Sequence, residues 1–94
     1  MIRVVADSNV YISAPNFGGV ADEVLALGRR QVIALFVAVV TADEADNRIL
    51  ECAVTAKAHL IVTGDNHLRT LGRFRSITIA SPREFLDARL WEAE

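Results

Sequence analysis

The sequence lacks a second cysteine, a long apolar run and a signal-peptide segment, and each absence excludes a class of protein. A lone Cys52 cannot form an internal disulfide, which fits a reducing compartment. The longest apolar run, residues 32–40, is far shorter than the roughly 20 residues of a membrane-spanning helix. The amino terminus has no basic region followed by an apolar stretch and a cleavage site. These absences predict a cytoplasmic protein with no membrane partner.

A large charge of one sign is also lacking, because the formal net charge is −2 over 94 residues. This balance predicts no global attraction to nucleic acid. Locally, residues 66–83 contain no acid but include Arg69, Arg73 and Arg75. These arginines are candidate contacts to phosphate groups. An ordinary solvated, arginine-rich edge is an equally good interpretation.

Apolar content is what the chain has in excess, with 52% hydrophobic residues and a mean hydropathy of +0.30. A chain of this length is the size of a single domain, and it buries only a modest fraction of its surface. Excess apolar content on so small a chain predicts a subunit interface. We therefore expect a homodimer or a higher homo-oligomer.

Short apolar runs that are typical of buried strands recur along the chain. They lie at residues 2–6, in the second half of 32–40, and at 60–64 and 76–80. Strands of this kind, alternating with helices, predict an α/β fold with a parallel sheet that is covered on both faces. No linker or internal repeat interrupts the pattern, so residues 1–94 are expected to form one domain.

The segments between these runs have the spacing of amphipathic helices. They lie at residues 20–30, 42–58, 66–72 and 82–94. Asp43 is the expected N-cap of the second helix, whose buried stripe is predicted to include Val54 and Lys57. Gly28 is expected to weaken or end the first helix, and Gly72 to stop the third.

Acidic residues follow two of the predicted strands. Asp7 comes directly after the first strand, and Asp65 follows residues 60–64, where Gly64 lets the backbone turn. Open parallel α/β sheets bind ligands at the carboxyl ends of their strands. If these two strands are neighbours, both carboxylates project into the same crevice.

Asp46 adds a third carboxylate, because it lies near the buried stripe of the helix at 42–58 rather than on its solvent face. Three acids in one crevice repel one another, and a divalent cation relieves that repulsion. A site made only of oxygen ligands suits Mg²⁺ or Mn²⁺, which can activate water for phosphodiester hydrolysis. Ser8, Asn9 and Thr63 are the candidate supporting groups around these acids.

Simpler interpretations exist for each acid alone. An Asp after a strand is more often a turn or a helix cap, and Asp46 by itself is most often a charge at a helix amino terminus. Only the joint pattern favours a metal site. The sequence does not favour nucleotide-binding or serine-hydrolase chemistry, because it has no glycine-rich phosphate loop and no nucleophile elbow. It does not favour a zinc site either, because its two histidines lack Cys or His partners at zinc spacing.

Two stretches resemble a known family. "VVADSNVYISA" resembles the opening of PIN-domain proteins, whose first strand ends in Asp followed by Thr or Ser and then Asn. The stretch that begins "ADEADNRILECAVTAKA" and continues through "LIVTGD" to "SPREFL" resembles the carboxyl half of the PIN branch that contains toxins of type II toxin–antitoxin pairs. The resemblance covers most of residues 1–27 and 36–86.

This resemblance implies a Rossmann-like three-layer α/β sandwich and a Mg²⁺- or Mn²⁺-dependent ribonuclease that cleaves single-stranded RNA. It implies Asp7, Asp46 and Asp65 as the catalytic and metal-binding acids, with Asn9 and Thr63 as supporting polar residues. The implied partners are single-stranded RNA, an antitoxin protein and a second copy of the chain.

The family's central segment has no counterpart here, so the expected fold is a PIN-like one shortened in the middle. That segment normally supplies a strand, further helices and a metal-site Glu, and residues 28–41 contain no acid to replace the Glu. The alternative function is therefore a non-catalytic PIN-like protein that acts through dimerisation or partner binding. A third interpretation is a small α/β module whose acids are only caps.

Overall fold

The computed structural model describes residues 1–7, 19–38 and 45–92. The strands are β1 (Ile2–Asp7), β2 (Ile33–Ala38), β3 (Leu60–Val62), β4 (Arg73–Phe74) and β5 (Ile77–Ala80). The helices are α1 (Val20–Arg29), α2 (Ala45–Thr55), α3 (Asn66–Leu71) and α4 (Pro82–Asp87), and a 3₁₀ turn follows at Leu90–Glu92. The predicted α/β class is confirmed.

The five strands form one sheet in the order β2-β1-β3-β5-β4. The first four run parallel, whereas β4 pairs antiparallel with β5 through Arg73 opposite Thr78 and Phe74 opposite Ile77. The prediction of a wholly parallel sheet is therefore wrong at this edge, and the sheet is mixed. A strand of two residues is too short to produce a detectable apolar period.

Side chains of β1 alternate between the two faces of the sheet, and each face carries its own apolar core. Ile2 and Val4 belong to the core that contains Val24 of α1 and Phe85 of α4. Val5 belongs to the opposite core, whose buried members on the two other helices are Ile49 and Ala53 of α2 and Leu68 of α3. Helices thus cover both faces, as predicted. By the same alternation, Asp7 lies on the Val5 face.

Helix α2 begins at Ala45 and ends at Thr55, inside the predicted range of 42–58. The predicted stripe is wrong at its carboxyl end, because Val54 and Lys57 are exposed. Lys57 has a left-handed backbone with φ of 53°, which a continuing helix does not allow. The expected N-cap, Asp43, lies outside the described residues.

Gly28 lies within α1, one residue before the helix ends at Arg29. A Cβ built on Gly28 would lie 3.0 Å from the Cβ of Leu35 in β2. The glycine therefore lets the helix approach the sheet more closely than a side chain would permit.

Residues at their ends delimit the two short helices α3 and α4. Gly72, with φ of 67°, stops α3 as predicted. Ser81 and Glu84 form a capping box at the start of α4. The predicted helix over 82–94 is wrong beyond Asp87, because Arg89 adopts a left-handed backbone with φ of 49°.

Strand β2 lies at an edge of the sheet, and it is less buried than its sequence predicted. The sequence predicted a buried strand in the second half of residues 32–40, yet β2 spans Ile33–Ala38 and leaves Phe36 46% and Val37 45% exposed. An edge strand has a neighbour on only one side, so its apolar sequence does not ensure burial.

Candidate functional site

The order of the strands reverses at β1. From β1 the chain passes to β2 on one side, and it then crosses to β3 on the other side, with α1 and α2 on opposite faces. At such a reversal the connections leave in opposite directions and open a crevice at the carboxyl ends of the strands. Asp7 ends β1 and Thr63 follows β3, so both residues lie at this edge of the sheet.

A chain of hydrogen bonds joins the two strands at this point. The Thr63 hydroxyl donates to Oδ2 of Asp7 over 3.2 Å, and the backbone N–H of Asp65 donates to the same hydroxyl oxygen over 3.1 Å. Asp7 is only 3% exposed and Thr63 is fully buried. One hydroxyl therefore connects the first carboxylate to the loop that carries the second.

Strand register explains why these residues meet. Ala6 pairs with Val62 in the parallel β1–β3 ladder, so Asp7 and Thr63 are the next residues along each strand. Asp7 follows the alternation of Val5, and Thr63 follows that of Ile61, and both of these apolar residues belong to the core under α2 and α3. The two polar side chains therefore share one face of the sheet.

Asp65 is the N-cap of α3. Its Oδ1 accepts hydrogen bonds from the backbone N–H groups of His67 over 2.8 Å and Leu68 over 3.2 Å. Its Oδ2 has no hydrogen-bond partner among the described residues. Capping therefore occupies one carboxylate oxygen and leaves the other for a ligand, so the cap and metal interpretations of Asp65 are compatible.

Asp46 is the second residue of α2. This helix leads from the end of β2 back to the start of β3, so its amino end lies at the carboxyl edge of the sheet, on the same face as Asp7. The side chain of Asp46 lies outside what the structure describes, as do Ser8 and Asn9. Of the predicted acids, the described residues thus connect Asp7 and Asp65, through Thr63.

The donor set at this edge consists of oxygen atoms, which suit Mg²⁺ or Mn²⁺ better than a softer metal. Within the described ranges, no group of three or more His, Cys, Asp or Glu side chains is placed to hold a metal ion. Asp7 and Asp65 offer two carboxylates. That partial set fits a cation that keeps several waters and takes its remaining ligands from elsewhere.

The three candidate RNA-phosphate arginines do not form one surface. Arg69 on α3 pairs with Glu84 of α4 over 3.5 Å. Arg73 is exposed in the edge strand β4, and Arg75 lies in the turn between β4 and β5, with its guanidinium carbon 5.4 Å from the centroid of the Phe74 ring. Because β4 runs antiparallel to its neighbour, this turn is at the amino edge of the sheet, away from Asp7.

The structure perturbs the ionisation of Glu84. The pKa of Glu84 is lowered from its ordinary value of 4.5, chiefly by the backbone N–H of Ser81, with the Ser81 hydroxyl and Arg69 adding to the effect. These contacts stabilise the charged carboxylate at the start of α4. Its perturbation belongs to the capping box rather than to the crevice.

Sequence reasoning missed a second polar group, at the amino edge of the sheet. The guanidinium Nε of Arg3 donates to the backbone carbonyl of Lys57 over 2.7 Å, and the backbone N–H of Arg3 donates to Nδ1 of His59 over 2.9 Å. These residues are more than fifty positions apart in the chain. No local signal could find them, because only the pairing of β1 with β3 brings them together.

The sequence matches no family model, and comparisons with curated proteins and with solved structures give no significant match. The resemblance to PIN-domain proteins therefore stays a prediction. In the part of the chain that the structure describes, no helix is both long and apolar enough to cross a membrane.

Proposed function

We propose that the chain is a Mg²⁺- or Mn²⁺-dependent ribonuclease of PIN type that cleaves single-stranded RNA. One observation carries the proposal: a buried carboxylate, Asp7, ends β1 at the point where the strand order reverses, and Thr63, which follows the neighbouring strand β3, donates a hydrogen bond to it. A cap or a surface turn does not require burial or a partner from another strand. A ligand site at this edge accounts for both.

Within this proposal, Asp7, Asp46 and Asp65 hold the cation, and Ser8, Asn9 and Thr63 support them. A bound Mg²⁺ or Mn²⁺ supplies charge stabilisation at the phosphate and activation of a water molecule. The Thr63 hydroxyl holds Oδ2 of Asp7 in one orientation, and the two backbone N–H groups of α3 hold Oδ1 of Asp65. Both acids are thereby preorganised before a ligand binds.

The proposal includes a Rossmann-like, PIN-like fold for the α/β architecture. It also includes a toxin role paired with an antitoxin protein, and a cytoplasmic location. The support for these finer statements is the resemblance of "VVADSNVYISA" and "LIVTGD", together with the position that Asp7 and Asp65 take at the carboxyl edge.

The decisive experiment combines Mn²⁺ titration with cleavage of a single-stranded RNA by the intact chain. We expect Asp7→Asn to weaken both Mn²⁺ binding and cleavage by at least about 100-fold, since it removes a ligand charge and keeps the side-chain shape. Asp22→Asn is the matched control, because Asp22 is an exposed acid in the first turn of α1. If Asp7→Asn and Asp22→Asn bind Mn²⁺ and cleave RNA equally well, the proposed ribonuclease activity is refuted.

Asp65 separates the ligand role from the capping role. Asn caps helices about as well as Asp, so Asp65→Asn keeps the amino end of α3 intact while it removes the charge. We expect this variant to lose Mn²⁺ affinity with little change in unfolding temperature. Unchanged affinity would make Asp65 a cap alone.

The second candidate function is a non-catalytic protein that works through association of two copies. Strand β2 favours this candidate. It is an edge strand whose sequence, IALFVA, carries no charge, and two of its apolar residues, Phe36 and Val37, are exposed. Lysine, proline and bulges normally protect such an edge from pairing with another chain. Two copies pairing antiparallel along β2, about a twofold axis, would extend the sheet across a homodimer.

Light scattering coupled to size exclusion tests this second candidate. We expect Val37→Lys to shift the chain from dimer to monomer, because a charge is placed on the shared edge. Val54→Lys adds the same charge at another valine, 40% exposed on α2, and should leave the dimer intact. A wild-type chain that stays monomeric at high concentration contradicts the interface.

A further inference from the structure

A groove of about 450 Å³ opens at the amino edge of the sheet, at the opposite end of the strands from Asp7. Its walls come from the start of β1, the carboxyl end of α2 and the turn before β5. Four of its lining residues carry basic side chains, and none is an acid. The four are Arg3, Lys57, His59 and Arg75.

Hydrogen bonds orient two of these groups. Arg3 is held by its Nε, which donates to the Lys57 carbonyl, so its terminal nitrogens remain as donors. His59 accepts the Arg3 backbone N–H on Nδ1, so the neutral ring carries its proton on Nε2. The groove therefore presents several donors from separate elements, which suits an anion with several oxygen atoms.

Helix dipoles account for only part of this charge. Basic groups are common at the carboxyl end of a helix, and Arg3 serves that purpose by binding the Lys57 carbonyl at the end of α2. His59 precedes β3 and Arg75 precedes β5, so neither belongs to that helix. Among the described residues, the ion pairs join Arg69 to Glu84 and Arg89 to Glu92, so the cations Arg3, Lys57 and Arg75 have no ion-pair partner there.

A second groove, of about 380 Å³, adjoins the first and shares Val54 and Arg75 with it. Its walls include Leu50, the exposed acid Glu51 and the ring of Phe74, and the guanidinium carbon of Arg75 lies 5.4 Å from the centroid of that ring. Aliphatic, aromatic and guanidinium surfaces of this kind are the ones on which nucleic-acid bases stack. A basic groove next to a surface suited to stacking matches the two parts of a nucleotide, its phosphate and its base.

We propose that the two grooves form one site for a nucleoside phosphate. The phosphate lies among Arg3, Lys57 and Arg75, and the base lies against Phe74 and Val54. A free nucleotide and one nucleotide of a single strand present the same chemistry. The site uses no carboxylate of the opposite edge and no metal, so it stands independently of the proposed ribonuclease.

Calorimetric titration in EDTA tests this site, because the chelator removes any metal-mediated binding at the acidic edge. The probes are AMP, adenosine, inorganic phosphate and a short oligoadenylate. We expect AMP to bind more tightly than adenosine or phosphate. Lys57→Gln combined with Arg75→Gln should weaken AMP binding by about tenfold, because two charge-assisted contacts are lost.

Arg29→Gln combined with Arg30→Gln is the matched control, since it removes the same charge from exposed residues at the end of α1. This variant should bind AMP within about twofold of wild type. Lys57→Arg with Arg75→Lys restores the charges and should restore binding. Phe74→Leu should weaken AMP binding while leaving phosphate binding unchanged, because only the base contacts the ring.

Equal losses in the Gln pair and its control would overturn the site, as would equal affinities for AMP and adenosine or the absence of AMP binding. Tighter binding of the oligoadenylate assigns the site to a strand, whereas equal affinity assigns it to a free nucleotide, and both results support it. Mn²⁺ binding by the Lys57 and Arg75 variant should match wild type, so a failure here is distinguishable from a failure of the acidic site.

Discussion

The carboxyl edge of the sheet carries acidic side chains and the amino edge carries basic ones, and the two sets differ in how far hydrogen bonds and burial fix them. At the carboxyl edge, Asp7, Thr63 and Asp65 are buried or half-buried and joined by hydrogen bonds to one another and to backbone N–H groups. At the amino edge, Lys57 and Arg75 are exposed donors around an open groove.

Part of this difference follows from the fold itself. Helices that connect parallel strands begin at the carboxyl edge, where free N–H groups attract acceptors, and end at the amino edge, where free carbonyls attract donors. The Asp65 cap and the Arg3 bond to the Lys57 carbonyl are of this kind. Asp7 and Arg75 do not lie at helix ends, so the charge at these ends does not explain their positions. A function is the remaining explanation for them.

The largest effect on stability is expected from Thr63→Val. This change keeps the side-chain shape but removes the hydroxyl, so the Asp65 N–H loses its partner and Asp7 loses a buried hydrogen bond. We expect the free energy of unfolding in urea to fall by about 2 kcal/mol. Thr63→Ser keeps the hydroxyl and should cost clearly less. Equal losses in both variants would assign the effect to packing.

A smaller effect is expected from the cap. Asp65→Ala removes the acceptor of the His67 and Leu68 N–H groups and should cost about 1 kcal/mol, whereas Asp65→Asn should stay close to wild type. Thermal unfolding and hydrogen exchange at the His67 and Leu68 amides measure both variants. Fast hydrogen exchange at the His67 and Leu68 amides in Asp65→Asn would contradict the expectation that the Asn side chain caps α3.

At the amino edge we expect a smaller loss in the free energy of unfolding. Arg3→Gln removes the hydrogen bond to the Lys57 carbonyl, which lies in an exposed setting, and should lower the free energy of unfolding by about 0.5 kcal/mol. Urea unfolding next to Thr63→Val gives a direct comparison of the two edges. A loss as large as that of Thr63→Val would remove the contrast between a fixed carboxyl edge and an open amino edge.

The smallest effect concerns the pH dependence of Glu84. Because the Ser81 N–H lowers the pKa of Glu84 in the folded chain, its carboxylate contributes stability above the unfolded pKa of 4.5. That contribution disappears as the pH falls through the lower folded value. Glu84 is largely exposed, so solvent screening limits the effect to roughly a few tenths of a kcal/mol.

Unfolding at neutral pH and at about pH 3 measures this contribution. Glu84→Gln should lose less stability on acidification than wild type does. Identical acid sensitivity in the two chains would show that Ser81 does not favour the charged form.

Much of the architecture was predictable because it depends on short-range rules. Apolar runs located β1, β3 and β5, and the glycine at position 72 located the end of α3. The missed features depend on contacts between distant residues or on single backbone conformations. The pairing of β4 with β5, the approach of Gly28 to Leu35 and the left-handed Arg89 are examples.

The candidate site divides in the same way. Its acids were predictable, because strand ends are visible in the sequence and parallel sheets place them at one edge. The bond from Thr63 to Asp7 depends on the β1–β3 register, and the basic groove depends on bringing residues 3, 59 and 75 together. Neither register nor groove has a local signature in the chain.

The Thr63 hydroxyl also makes the Asp65 amide a reporter of Asp7. A hydroxyl has a single proton, and here it is directed at Asp7 while its oxygen receives the Asp65 N–H. Any event that draws Oδ2 of Asp7 away frees that hydroxyl to rotate, and the resonance of the Asp65 amide shifts. The state of a buried carboxylate can thus be followed by NMR from a neighbouring loop, without a label on the carboxylate itself.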